Sequence, residues 1–219
     1  MTDQAALIEL CWAGEATGVS GEVARAVANF GKGGKRTFLE LDSDTLDAYG
    51  RLLRAAGGFK WLDCSVMQVL ASSPDAAWEM LASEGLAGDA LAVTPLRLSI
   101  DADHFHWVLI VLDCDACTVS ALDSALENGA VWEPQGQHLA AVISAATGKE
   151  WTCRAAPQQP QQSNRTDCGV FVLEYARRVS AMSPRQWRAL AADEMHPMLA
   201  GRLLRRRMTL ELVQGVVCA

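Results

Sequence analysis

Apolar residues recur at three- and four-residue steps over Asp3 to Ala13 and again over Gly21 to Phe30. That spacing predicts two amphipathic helices, and the glycine-rich break Gly31 to Arg36 ends the second. Ser43 is placed to cap a third helix that runs to about Ala56 and stops at Gly57-Gly58. Further helices are predicted over Leu62–Ser72 and Asp75–Ser83, the second led in by Ser73-Pro74. The texture changes near Leu91. Leu96 to Ile100 alternates, and His106 to Leu112 (HWVLIVL) is a near-continuous apolar run, the mark of a central strand buried on both faces. A turn at Asp113 to Ala116 leads back along Thr118 to Leu122, so the two strands form a hairpin.

A helix over Gly136–Thr147, ending near Gly148, precedes a short strand over Trp151 to Ala155. The polar loop Pro157 to Thr166 then opens into a dense apolar segment from Cys168 to about Val179. Periodicity alone does not separate strand from buried helix there. Its length and the Asn/Thr/Asp cluster ahead of it favour a helix. Helices near Pro184–Asp193 and Pro197–Val213 close the pattern.

At 219 residues, one domain is expected, and half the residues being apolar is enough for a core. No apolar run approaches the roughly 20 residues of a membrane span. Met1-Thr2-Asp3-Gln4 has no positive n-region, so no secretory signal is expected. The net charge of −7 argues against nucleic acid as the main partner. The seven cysteines are odd in number and scattered, which fits a reducing compartment, cytoplasmic or nuclear. Arg205-Arg206-Arg207 reads as a solvated helix face.

Cys168 is the first residue that suggests chemistry. A thiol at the mouth of a helix gains from the positive end of the dipole, which favours the thiolate. Gln162, six positions upstream, offers a carboxamide that can donate to a developing oxyanion. A buried helix cysteine is the plainer alternative. His106 begins the central strand, where an imidazole can face a cleft and take a thiol proton. Its neighbour His104 makes His-x-His, but no third metal ligand accompanies the pair. Asp123 finishes the return strand, so the hairpin brings it to His106, whose tautomer it can hold.

The blocks HWVL (106–109), DS (123–124) and PQQSNRTDCGVF (160–171) resemble the ubiquitin-like-protein proteases, the sentrin- or SUMO-specific cysteine proteases of the adenain-like clan. The resemblance implies an α+β domain of the papain-like cysteine protease superfold, with a helical part, a small mixed sheet and the active site between them. It implies Cys168 as nucleophile, His106 as base, Asp123 as its orienting acid and Gln162 as oxyanion donor. Trp61-Leu62-Asp63 with Val66-Met67 resembles a further family segment, although Asp63 and Cys64 stand where the family has Asn and Asp. By that resemblance Trp61 and Trp107 line a tunnel for the substrate's glycine pair. The family-like core spans about 44–179, residues 1–43 match nothing named, and 184–213 close the fold.

The implied reaction is hydrolysis after the C-terminal Gly-Gly of a ubiquitin-like modifier, through a thioester, by a monomer that needs no metal or cofactor. The implied partner is the modifier and its conjugates, with no nucleic acid or membrane. The setting is a cell's reducing interior, or that of a host into which a bacterium delivers the protein. Two rival functions remain: an acetyltransferase of the same clan, and a non-catalytic module that binds a ubiquitin-like protein.

Overall fold

The computed structural model describes residues 21–31, 40–57, 59–70, 73–83, 86, 91–100, 105–125, 132–154, 159–190 and 201–217. The helix expected over Asp3 to Ala13, the glycine-rich break beyond Gly31, and His104 lie outside the described residues.

Helix α1 spans Gly21–Gly31 and buries Ala26, Val27 and Phe30. Helix α2 spans Ser43–Ala56, and its cap is Asp42 rather than the expected Ser43. Asp42 has extended backbone, and its Oδ1 accepts from the Thr45 N–H at 2.9 Å, satisfying a first-turn donor that no helix carbonyl can reach. Leu46, Tyr49, Gly50 and Leu53 form its buried stripe.

The helix expected over Leu62–Ser72 shrinks to α3, Val66–Leu70, and is preceded by a two-residue strand, β1, Lys60–Trp61. The reason is a competing partner: the Leu62 N–H donates to the Val93 carbonyl at 2.8 Å, which holds the chain on the sheet until Asp63 starts the turn. Helix α4, Pro74–Ser83, starts as expected, with Ser73 Oγ accepting from the Ala76 N–H.

Strands β2 (Leu91–Ser99), β3 (Phe105–Asp113), β4 (Thr118–Leu122) and β5 (Thr152–Cys153) complete a five-stranded sheet in the order β1-β2-β3-β4-β5. The inner pairs are antiparallel and the two outer pairs parallel. Strand β2 starts at Leu91, earlier than the alternating stretch suggested, because it pairs with β3 from Leu91↔Asp113 to Ser99↔Phe105. The hairpin turn is tied by Asp113, whose Oδ1 accepts from the Ala116 N–H at 3.0 Å. Arg188 grips the same carboxylate with two N–H groups, at 2.7 and 2.8 Å.

Helix α5, Glu133–Thr147, stops at Gly148, whose positive φ of 67° suits a residue without a Cβ. Helix α6 spans Cys168–Ser180, so the segment that periodicity left open is a helix. Helix α7 is Pro184–Ala189, and α8 is Gly201–Gln214; residues 191–200, which carry the rest of two expected helices, are not described.

The sheet is covered on both faces. Leu91, Val93, Trp107, Leu109, Val111 and Leu122 pack in one core with α1, α2, α6 and α8. Ala92, Leu98, Val108, Ile110, Leu112, Val119 and Ala121 pack in a second core with α3, α4 and α5. That is why β3 is apolar at nearly every position. Helix α6 lies between the sheet and helices α2 and α8, so ten of its thirteen residues are buried, and only Arg177, Arg178 and Ser180 stay partly exposed.

Candidate active site

The hairpin brings His106 and Asp123 together. The register runs to Leu109↔Leu122, so Asp123 leaves the sheet on the edge where β3 begins. His106 Nε2 lies 2.6 Å from Asp123 Oδ1, and both side chains are almost fully buried. The Ala125 N–H also donates to Asp123 Oδ1, at 2.8 Å. With Nε2 committed to the carboxylate, Nδ1 is the nitrogen left for a second partner, and Cys168 is near enough to act on the imidazole. Burial works to lower the His106 pKa, but the hydrogen bonds to Asp123 and Cys168 outweigh it and push it up to about 9.

Cys168 is the first residue of α6. Its backbone N–H belongs to the first helical turn and has no partner within the helix. Three glutamines dock the preceding loop on the end of β4. Gln159 and Gln161 donate their side-chain amides to the Asp123 carbonyl, at 2.9 and 3.1 Å. Gln162 is held at both ends of its carboxamide: Oε1 accepts from Ser124 Oγ at 2.6 Å, and Nε2 donates to the Asn164 carbonyl. Its backbone N–H donates to the Ser124 carbonyl at 2.8 Å. Tyr175, from α6, donates its hydroxyl to the Pro160 carbonyl at 2.5 Å. The structure therefore brings Cys168, His106, Asp123 and the Gln162 loop to one end of the sheet.

Trp61 and Trp107 lie in the core on the same side as Cys168. Trp61 packs against Gly50, where a Cβ would overlap the indole, and its Nε1 donates to Asp47 at 3.2 Å. Trp107 Nε1 donates to the Leu41 carbonyl at 2.8 Å. Leu41 is itself fully buried, and a Cβ on Gly169 would lie 3.0 Å from the Leu41 Cβ. Leu41 thus bridges Trp107 and the first turn of α6, next to Cys168, which is 0% exposed. Asp47 also accepts from the Cys64 N–H at 2.9 Å, and burial raises its pKa.

Sequence reading missed the residues that hold these groups. Ser124, Gln159, Gln161 and Asn164 stand in or beside the recognised blocks, and nothing local to them announces a role. Arg205, expected on a solvated face, is instead fully buried, and Arg206 and Arg207 are half-buried. Arg207 pairs with Glu174 of α6 and Arg205 with Asp167, acidic partners too distant in sequence to be seen as pairs.

A sheet edge carrying a histidine–carboxylate pair beside a cysteine at a helix mouth defines the papain-like cysteine peptidases, and this chain is a cysteine-type peptidase in that α+β superfold. Residues 92–198 match the model of the Ulp1 protease family, C-terminal catalytic domain. No curated protein sequence matches the chain. Among solved structures, the SUMO protease Ulp1 with its catalytic cysteine oxidised to a sulfenic acid superposes with a TM-score of 0.72 at 16% identity, covering 98% of this chain and 95% of that one. The Ulp1-like SUMO protease catalytic domain of Chaetomium thermophilum gives 0.67 at 17% identity, covering 100% and 91%. The Xanthomonas campestris effector protein XopD bound to ubiquitin gives 0.52 at 24% identity, covering 80% and 92%. At these identities the superpositions establish the fold. Among the described residues, no helix is long and apolar enough to cross a membrane.

Proposed function

We propose that this peptidase hydrolyses the bond after the C-terminal Gly-Gly of a ubiquitin-like modifier, with Cys168 as nucleophile and the whole chain as one catalytic domain. The observation that carries the reading is the buried His106–Asp123 pair facing Cys168. In the reaction, the Cys168 proton passes to His106 Nδ1 and the sulfur attacks the glycine carbonyl carbon. The carbonyl π electrons move to oxygen, where the Gln162 NH2 group and the Cys168 backbone N–H stabilise the charge. Collapse breaks the C–N bond, His106 returns its proton to the leaving amine, and a thioester remains. Water, deprotonated by His106, then attacks that thioester; its collapse releases the glycine carboxylic acid, and His106 returns the proton to the thiolate. Asp123 fixes the imidazole and stabilises its charged form.

Trp61 and Trp107 are read as the walls of the tail channel. Both rings are buried, so a tail passing between them displaces packed atoms, and glycine displaces least. The XopD and Ulp1 structures, one bound to ubiquitin and others described as SUMO proteases, support a modifier substrate. The effector relative supports delivery into a host cell as one setting. A groove of about 470 Å³ lined by Cys64, Met67, Gln68, Leu96, Arg97 and His138 opens between α3, α5 and the end of β2, which suits contact with the folded body of the modifier.

The test is a panel of ubiquitin, SUMO and Nedd-type proteins carrying a C-terminal electrophile. At least one is expected to form a covalent adduct with the wild type and none with Cys168→Ala. Adduct formation by the alanine variant, or by no member of the panel with the wild type, would overturn the reading.

A further inference from the structure

Arg205 lies on α8, far from the catalytic hairpin in sequence, yet its guanidinium is completely buried. Its Nε and Nη2 both sit 2.9 Å from Asp167 Oδ1. Nη2 also donates to the Thr166 carbonyl at 3.1 Å, and Nη1 to the Phe30 carbonyl of α1 at 3.3 Å. One side chain thus ties α8, α1 and the residue immediately before Cys168.

Asp167 passes this anchoring on in two directions. Its carbonyl accepts from the Phe171 N–H at 2.9 Å, closing the first turn of α6. Its Oδ2 accepts from Asn164 Nδ2 at 2.7 Å, and its N–H donates to Asn164 Oδ1 at 3.0 Å. Asn164 in turn receives the Gln162 amide on its carbonyl, and the other end of that carboxamide is held by Ser124 beside Asp123. A continuous chain therefore runs Arg205–Asp167–Asn164–Gln162–Ser124 and ends one residue along from Asp123, the partner of His106.

Gly201 gives an independent sign that α8 is built to meet this chain. Any Cβ at that position would overlap the Asp167 carboxylate, so the helix start approaches it as closely as bare backbone permits. Fold stability alone offers a poor account of a charge here. A buried ion pair loses hydration on both partners, and well-packed apolar replacements of the same volume are often at least as stable.

We propose that Arg205 is a positioning residue of the site: through Asp167 it sets the placement of Cys168 at the helix mouth and, through Asn164, the aim of the Gln162 carboxamide. The inference rests on the reading of Cys168 as nucleophile and Gln162 as oxyanion donor.

The test compares wild type, Arg205→Lys, Arg205→Met and the double variant Arg205→Met/Asp167→Leu, with ubiquitin and SUMO carrying a fluorogenic C-terminal amide. Circular dichroism and thermal unfolding report folding. The double variant removes both charges together, so it avoids the lone buried carboxylate that can unfold Arg205→Met. In folded Arg205→Met and in the double variant, kcat is expected to fall by about 10²-fold with KM little changed, the mark of misplaced reacting groups. Arg205→Lys, which keeps the charge but not the fork, is expected to recover part of that loss. A folded double variant with wild-type kcat would overturn the proposal. Unfolding of the double variant would overturn it too, because Arg205 would then serve stability alone. Cys168→Ala separates the two levels: cleavage retained in that variant removes the nucleophile assignment itself, whatever Arg205 does.

Discussion

His106 Nε2 and Asp123 Oδ1 stand 2.6 Å apart at the open end of the β3–β4 hairpin, shielded from solvent on nearly all sides. Because Asp123 takes Nε2, the imidazole presents its other nitrogen to Cys168, and the pair settles both tautomer and ring orientation before any substrate arrives.

The raised pKa of His106 gives a pH prediction. Its ordinary value is 6.5 and its folded value about 9, so the folded state holds the proton more tightly. The stabilisation is fully present below 6.5 and is lost as the pH rises through about 9. The alkaline limb of kcat/KM should therefore fall near pH 9 in the wild type. Asp123→Asn should lower kcat with little change in KM and move that limb toward neutral pH. An unmoved limb would show that another group holds the imidazole.

Gln162→Ala should lower kcat by about 10²–10³, the usual effect of losing one oxyanion donor. Ser124→Ala removes only the hydrogen bond that orients the carboxamide, a contact worth roughly 0.5–1.5 kcal/mol. Its kcat should fall about 2- to 13-fold. The ranking is checked by steady-state kinetics on one modifier substrate, and equal losses in the two variants would contradict it.

Leu41 covers the gap between Trp107 and the first turn of α6. Leu41→Ala should destabilise the fold by about 2–5 kcal/mol, as large-to-small core changes do. In the fraction that stays folded, Cys168 should react faster with iodoacetamide, read by mass spectrometry at that residue. An unchanged labelling rate would place the cover elsewhere.

Selectivity for the tail tests Trp61 and Trp107 directly. A modifier ending in Gly-Gly should be cut, and the same modifier ending in Ala-Gly or Gly-Ala should be cut about 5- to 150-fold more slowly, since overpacking a closed site costs about 1–3 kcal/mol. Trp107→Ala should narrow that difference and lower the rate. Competitive cleavage of matched fusions measures it, and equal processing of Gly-Gly and Ala-Gly ends by the wild type would remove the channel.

Local rules made much of this fold legible from the amino-acid order. The chemistry of the Asp113–Cys117 turn, the apolar run of β3 and the glycine at 148 act within a few residues, so hairpin and helix ends followed from neighbours in sequence. The same hairpin placed Asp123 beside His106, and the proline-punctuated glutamine loop pointed to Cys168. Tertiary structure decided the rest. The two residues of β1 are a strand only because β2 offers Ala92 and Val93 to pair with, and that pairing cut short the helix expected from Leu62. Arg205 looked solvated because nothing within its own helix demands a buried cation. Its partners Asp167 and Phe30 lie 38 and 175 residues away, and only packing α8 against α1 and the loop before α6 brings a carboxylate close enough to offset the loss of water around its charge.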